Sequence, residues 1–510
     1  FLYAKRYIMT MLFALIVAVS AVFGQASFEI DNYKCSICVA GVEKASELGT
    51  VFNAACKEQF PAFVCDKIHI PDDKLDLINK SARENCEFLN YCPIDESPSI
   101  DGGIDIRVTK ALGSQGYDKV RISVISNHTV DSSLFTYKKQ FKYRWTDKFI
   151  SSGLVSVKPG EKTSFKIAGQ NIDVLVPTQG AGTRGVILAD PCFSSQWIFC
   201  AYSKTFNMYN HSLELLNAIN ARDDVSYWQI LGDNFYDQEG DLSESWFAGL
   251  SAESKGKMFS ATPGNHDFWV NSSPKLFVPK DQLGNGFMQF YAQDTLAATE
   301  KSPFDFSVNP DKKSDSMAMN LPAASNFFFY NQVGNTGFIG YSGAHPYNSM
   351  VSHFQEACSW ASANADSIDV LLLLGHWDHE GDGCDSASPV PTVYQELATL
   401  TECQPVLSKL RYFMGHKHCN IVTEPNVGFM VGAQGMSDHT ECGGAYGIPV
   451  VDTTGGRFKV YYFPIAQAKN VNRSDVTTFD NYDAILKCVQ DNGVSGCYHL
   501  ATLWADTPLH

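Results

Sequence analysis

Positive charge is what this sequence is short of. Its 39 Lys and Arg face 55 Asp and Glu, a formal net charge of −16 with the 13 His neutral. A nucleic-acid binder needs a basic face to displace counterions, so that class is excluded. Long apolar runs are scarce too: beyond the N-terminus no stretch has eighteen uninterrupted apolar residues, which excludes a later membrane-spanning helix. Internal repeats and low-complexity tracts are absent. What remains is an ordinary globular composition, 45% hydrophobic and 13% aromatic, in a 510-residue chain with room for two or three domains.

At the N-terminus, Lys5 and Arg6 precede the apolar run MLFALIVAVSAVFG, which small residues close. That run is short for a bilayer crossing and has the layout of a secretory signal peptide, expected over 1–24, with a membrane anchor as the competing reading. Fifteen cysteines suit an oxidising compartment, and sequons at Asn79, Asn127, Asn210, Asn271 and Asn472 point the same way. The odd count leaves at least one thiol unpaired or intermolecular. The expected location is outside the cell or in a lysosomal or vacuolar lumen.

Residues 31–95 carry Cys35, Cys38, Cys56, Cys65, Cys86 and Cys92, separated by stretches whose apolar residues recur every three or four. A helical unit this small buries little core, so cross-links must stabilise it. The opening CxxC alone also fits zinc or redox chemistry; the secretory context favours disulfides. The cysteine order resembles a saposin-type domain, and the resemblance implies the pairing Cys35–Cys92, Cys38–Cys86 and Cys56–Cys65, with lipid as a possible contact. From 101 to 180 the pattern switches to alternation, as in IDIRVTKA and KVRISVIS, predicting a small antiparallel β-rich module that acts as spacer or cover. From 183 to 465 apolar runs alternate with helical stretches such as SLELLNAINAR, predicting a layered α/β domain. The 466–510 tail, with Cys488 and Cys497, carries no legible role.

Chemistry concentrates in the 183–465 region. GVILAD ends on Asp190, SYWQILGDNFYD delivers Asp233 and Tyr236, and MFSATPGNHD delivers Asn265, His266 and Asp267. VLLLLGHWDH delivers His376 and His379, and RYFMGHKH delivers His416 and His418. Buried strands place the residues that follow them at the carboxyl edge of a sheet, where α/β folds build their sites. Carboxylate, amide oxygen and imidazole suit iron, zinc or manganese. There are too many donors for one ion, so two ions sharing a carboxylate is the economical inference. Any one of these elements is weak alone; a lone buried His is more often a core residue, and GNHD alone fits a turn.

The ordered set D, GDxxY, GNHD, GH, GHxH resembles the calcineurin-like metallophosphoesterase superfamily, and GDNFY is similar to purple acid phosphatases of the tartrate-resistant type. The resemblance implies a four-layer αββα sandwich over 183–465. Many members place a metal-binding His two residues after the first Asp; here that place holds Cys192. Purple acid phosphatases lack that His and use the tyrosine of GDxxY, here Tyr236, so the donor absent at one motif is present at another. Cys192 is then open between a disulfide, with Cys200 a nearby candidate, and a metal ligand.

The resemblance implies Fe(III) held by Asp190, Asp233, Tyr236 and His418, with a purple charge-transfer colour. Its second ion, Fe(II), Zn or Mn, is held by Asp233, Asn265, His376 and His416. Paired cations activate water to attack phosphorus. The expected activity is hydrolysis of phosphomonoesters at acidic pH. His266 is the candidate for contacting phosphate and protonating the leaving oxygen. Asp267 either orients His266 or caps a helix. Family members of this type place a second substrate-facing His about nine residues after the one matching His376. Asp385 stands there instead, leaving His379 either as a substitute or as a surface residue. Two competing functions are a sphingomyelinase-like lipid phosphodiesterase, which shares the saposin-type module, and a silent lipid- or protein-binding protein.

Overall fold

A segment such as VLLLL has no polar face, so as a strand it must be covered on both sides. In the structure, a computed structural model, it is fully buried in a sheet. The structure describes residues 104–126, 130, 136–142, 149–167, 169–193, 208–236, 241–268, 293–298, 323–380, 388–435, 442, 445–468, 476–477 and 481–509. The expected signal peptide and saposin-like module lie outside them, as do Cys200, Asp385 and every sequon except Asn210.

Strands β1 (Asp105–Lys110), β2 (Lys119–Ser126), β3 (Thr136–Lys142) and β4 (Phe149–Ser156) form an antiparallel sheet of order β1-β2-β4-β3, followed by the hairpin β5 (Lys162–Ile167) and β6 (Gln170–Leu175). The strands β7 (Arg184–Leu188), β8 (Tyr227–Leu231) and β9 (Met258–Thr262) then run parallel. A second sheet comprises β10 (Phe329–Val333), β11 (Thr336–Gly340), β12 (Val370–Leu374), β13 (Leu410–Met414), β14 (Asn420–Glu424) and β15 (Gly428–Val431), in the order β10-β11-β12-β13-β15-β14. The last strands, β16 (Ala445–Asp452), β17 (Arg457–Ala468), β18 (Val476–Thr477) and β19 (Thr502–Pro508), return to β7–β9 and complete a seven-stranded sheet.

The helices are α1 (Met208–Asn220), α2 (Asp241–Ala248), the single turns α3 (Ala252–Lys255) and α4 (Asn265–Phe268), then α5 (Val351–Ala363), α6 (Val390–Leu397) and α7 (Tyr482–Gly496). Strand alternation sorts side chains into layers. Leu372 and Leu374 of β12 meet Tyr227, Met258 and Val451 of the facing sheet in one shared core. Leu371 and Leu373 point the other way, onto Phe354 and Ala357 of α5 and Val393 of α6. On the far side, Val186, Trp228 and Phe259 pack on Leu215 of α1, Trp246 of α2 and Ile485 of α7. Helix, sheet, sheet and helix therefore stack in four layers, the mixed α/β arrangement expected.

The β-rich segment covers this sandwich and does not stand apart as a spacer. Ile106, Val108, Val120 and Ile122 belong to the same core as the inner sheet faces. Buried Arg121 pairs with buried Asp294 at 2.7 Å, tying β2 to the 293–298 segment. The tail that the sequence left unread is also built in: α7 packs with α1 against the sheet, and β19 pairs antiparallel with β17. Disulfides join Cys358 to Cys403, Cys419 to Cys442 and Cys488 to Cys497. Cys192 is disulfide-bonded as well, which answers the choice left open for it.

Candidate metal centre

Five parallel strands end at one place. The donors follow the carboxyl ends of β7 (Asp190), β8 (Asp233, Tyr236), β9 (Asn265), β12 (His376) and β13 (His416, His418). Both sheets contribute, so the site lies where the two carboxyl edges meet.

The donor atoms fall into two groups. In the first, Tyr236 Oη is 3.3 Å from Asp190 Oδ1 and 3.1 Å from His418 Nε2. Asp190, Asp233 and His418 each offer an atom within 4.8 Å of the others. In the second, Asn265 Oδ1 lies 3.1 Å from both His376 Nε2 and His416 Nδ1, and those two nitrogens are 3.3 Å apart. Asp233 Oδ1 is 3.4 Å from His376 Nε2, so this carboxylate belongs to both groups. Donors about 2.1 Å from one ion, at octahedral or tetrahedral angles, stand about 3.0–3.4 Å from each other. These four separations in the second group have that spacing, and the residues present fit a pair of ions.

Supporting contacts fix the donors. A carbonyl only accepts, so the 2.8 Å contact of His376 Nδ1 with Leu231 O puts the proton on Nδ1 and directs Nε2 into the site. Asp190 Oδ2 accepts the His416 backbone N–H at 3.0 Å, and Asp233 Oδ1 accepts that of His266 at 2.8 Å. Backbone geometry marks the same residues. Among the described non-glycine residues, positive φ occurs at Asp190 (53°), Asp233 (48°), Phe235 (65°), Tyr236 (51°), His416 (74°) and Asn426 (62°). Four of them are the predicted donors Asp190, Asp233, Tyr236 and His416. Each such residue costs on the order of 1–3 kcal/mol, and this kind of strain collects where a site over-determines its backbone.

Without cations the buried charge reduces to one pair, Asp233 and His376. Burial, and then Asp233, hold the Asp190 carboxyl well above the usual range, against the pull of His376. Burial would raise Asp233 too, but positive His376 and His266 outweigh it and hold that carboxyl low. His376 is pushed up to about 10: burial opposes its charge, and Asp233 and Asp190 prevail. His416 is pushed down to about 4 by burial and by His376. Burial, then Asp190 and Asp233, drive the Tyr236 phenol well above its ordinary value. Only a strongly polarising cation would take that proton.

The remaining predicted residues border this cluster. The His266 ring stands 4.8 Å from that of Tyr236. Asp267 accepts from Gly264 N at 2.7 Å and from Asn234 Nδ2 at 2.8 Å, so it clamps the β8 loop to the β9 loop. Burial, then Asp233, push its carboxyl up to about 7. His379 is half exposed, its side chain 52% accessible, with Nδ1 2.7 Å from Asp378 Oδ1 and its ring 5.3 Å from that of His416. Asn234 and Gly432 escaped the sequence. A Cβ on Gly432 would sit 2.6 Å from Asp190 Oδ2. The signal for Gly432 was a glycine directly after an apolar strand, GFMVG, the same form as the other motifs.

No protein-family model and no curated protein sequence matches the chain. Similar solved structures include a purple acid phosphatase from yellow lupin (Lupinus luteus) seeds, 12% identical, covering 74% of this chain and 73% of that one with a TM-score of 0.44. The GAP50 anchor of the Plasmodium inner membrane complex is 12% identical over 61% of this chain and 96% of its own, with a TM-score of 0.31. A Staphylococcus aureus protein named for 5'-nucleotidase activity is 16% identical over 61% and 58%, with a TM-score of 0.28. At such identity and TM-score these likenesses carry no functional weight.

Proposed function

We propose that this chain is a binuclear-metal phosphoester hydrolase of the acid phosphatase type, acting on phosphomonoesters. The observation that carries this is the sharing of Asp233 between two donor groups. In this proposal Asp190, Asp233, Tyr236 and His418 hold one ion, ferric iron. Asp233, Asn265, His376 and His416 hold the other, Fe(II), Zn or Mn. Such a pair supplies Lewis-acid activation of water and neutralises charge developing on the phosphoryl group.

The chain's own residues set the geometry. Leu231 O holds the His376 ring with Nε2 inward. The His266 backbone N–H steadies Asp233, while its imidazole, beside Tyr236, is assigned to the phosphoryl oxygens and to the proton for the leaving oxygen. Asp267 keeps the Asp233 and Asn265 loops in register through Asn234 and Gly264. His379, held by Asp378 beside His416, is assigned to the substrate side of the second ion. The disulfides support an oxidising compartment, secreted, lysosomal or vacuolar.

The test is a metal count and absorption spectrum of the purified protein, with turnover of p-nitrophenyl phosphate and of sphingomyelin. Two ions per chain, a visible band and release from p-nitrophenyl phosphate are expected. Turnover of sphingomyelin alone would replace the assignment by a lipid phosphodiesterase, with lipid contact through the saposin-like module. Fewer than one tightly held ion would leave a binding protein.

A further inference from the structure

Two donors of the first ion stand next to disulfide cysteines. Asp190 is followed at two residues by Cys192, and His418 is followed directly by Cys419. Both cysteines are buried. Both also grip one short segment, Gly432–Gly435, which runs on from β15. Gly432 N donates to Cys419 O at 2.8 Å, and Cys192 N donates to Gln434 O at 2.9 Å. Between them, the Asn420 side chain bonds Ala433 in both directions, at 3.2 and 3.3 Å. The segment has no room to move inward. A Cβ on Gly432 would meet Asp190 Oδ2 at 2.6 Å and His418 N at 3.3 Å, and one on Gly435 would meet Cys192 O at 2.2 Å. Cys442, the partner of Cys419, closes the loop that contains β14, β15 and this segment.

We propose that the Cys419–Cys442 and Cys192 disulfides are positioning elements for the first ion. They clamp Gly432–Gly435 between Asp190 and His418 and so fix the separation of those two donors. The proposal rests on Asp190, Asp233, Tyr236 and His418 being one ion's ligands. Misplacing a donor by about 1 Å is enough to spoil a preorganised site, which is why a covalent clamp is useful there. The Cys358–Cys403 disulfide supplies the contrast. It ties α5 to the 3-10 stretch Thr401–Lys409, in the outer helical layer.

The experiment follows metal release from the full-length, metal-loaded protein into a chromogenic chelator. From Cys419→Ala/Cys442→Ala, one ion of the two should leave at least ten-fold faster than from wild type, the other at the wild-type rate. Cys358→Ala/Cys403→Ala should release both at wild-type rates. Unchanged release from the first variant overturns the proposal. So does equal acceleration in both variants, since that reports a general loss of stability. A wild-type protein that holds no ion overturns the metal-centre assignment itself, and this proposal with it, before any variant is compared. Should the double variant fail to fold, Cys442→Ala alone, which changes only the less buried partner, carries the same expectation and the same refutation.

Discussion

The backbone N–H of His416 donates to Asp190 Oδ2 at 3.0 Å, so a loop of the six-stranded sheet is fastened to a carboxylate carried by the seven-stranded one. That oxygen is also the atom that a Cβ on Gly432 would meet first, so the room beside it depends on the absence of a side chain there.

Gly432→Ala is therefore expected to displace Asp190 while leaving the sandwich intact. A Cβ 2.6 Å from a carboxylate oxygen has to move something, and every neighbour there is backbone or donor. Turnover should fall about 100-fold, the scale seen when a donor shifts by an ångström. Far-UV circular dichroism should be unchanged. Wild-type metal content and turnover in this variant would refute the crowding.

Tyr236→Phe separates the phenol's role as donor from its role in packing. The ring is buried and stands against His266, and phenylalanine keeps that contact. The variant should fold, lose any visible charge-transfer band and hold the first ion less tightly. A band that survives the substitution would remove Tyr236 from the donor set.

Much of the site was legible because parallel strands buried on both faces read as apolar runs, and each run stops abruptly on a donor. VLLLLGH and GVILAD announce both the strand and the candidate donor that follows it. Asn234 was not legible. Its importance comes from Asp267, thirty-three residues away, and from the Thr262 carbonyl 3.0 Å from its Nδ2. The tail was illegible for a different reason. β19 is an outer strand with one buried position, Ala505, so it carries little apolar pattern to read. The β-rich segment showed its alternation clearly, but nothing in IDIRVTKA says that its apolar face completes another sheet's core.

Arg121 and Asp294 illustrate a contact that sequence hides and thermodynamics exposes. Both are almost wholly buried, and Asp294 also accepts the Leu112 backbone N–H at 2.7 Å. Asp294→Ala leaves a buried guanidinium uncompensated and should cost about 3–5 kcal/mol. Removing both charges with Arg121→Met/Asp294→Leu should recover most of that loss. Urea midpoints of the two variants and wild type check this; a double variant less stable than the single one would refute the ion-pair account.

Lys110 gives the fold a pH dependence separate from the candidate metal centre. Its Nζ donates to Tyr117 O at 2.7 Å and Lys119 O at 2.9 Å, with the Tyr117 ring 4.7 Å away. Burial pushes its pKa down to about 7, against the opposing pull of Asp118 and Asp294. Unfolded, the amine returns to its ordinary 10.5. Between those values the unfolded chain binds more protons than the folded one, so stability rises with pH from about 7 to 10.5. Below that window the buried charge costs on the order of a few kcal/mol. Lys110→Met should flatten the slope, whatever it does to the absolute midpoint through the two carbonyls it leaves without a donor. Urea midpoints measured from pH 6.5 to 9.5 decide the matter: an equal slope in the variant and the wild type would mean that Lys110 is not the titrating group.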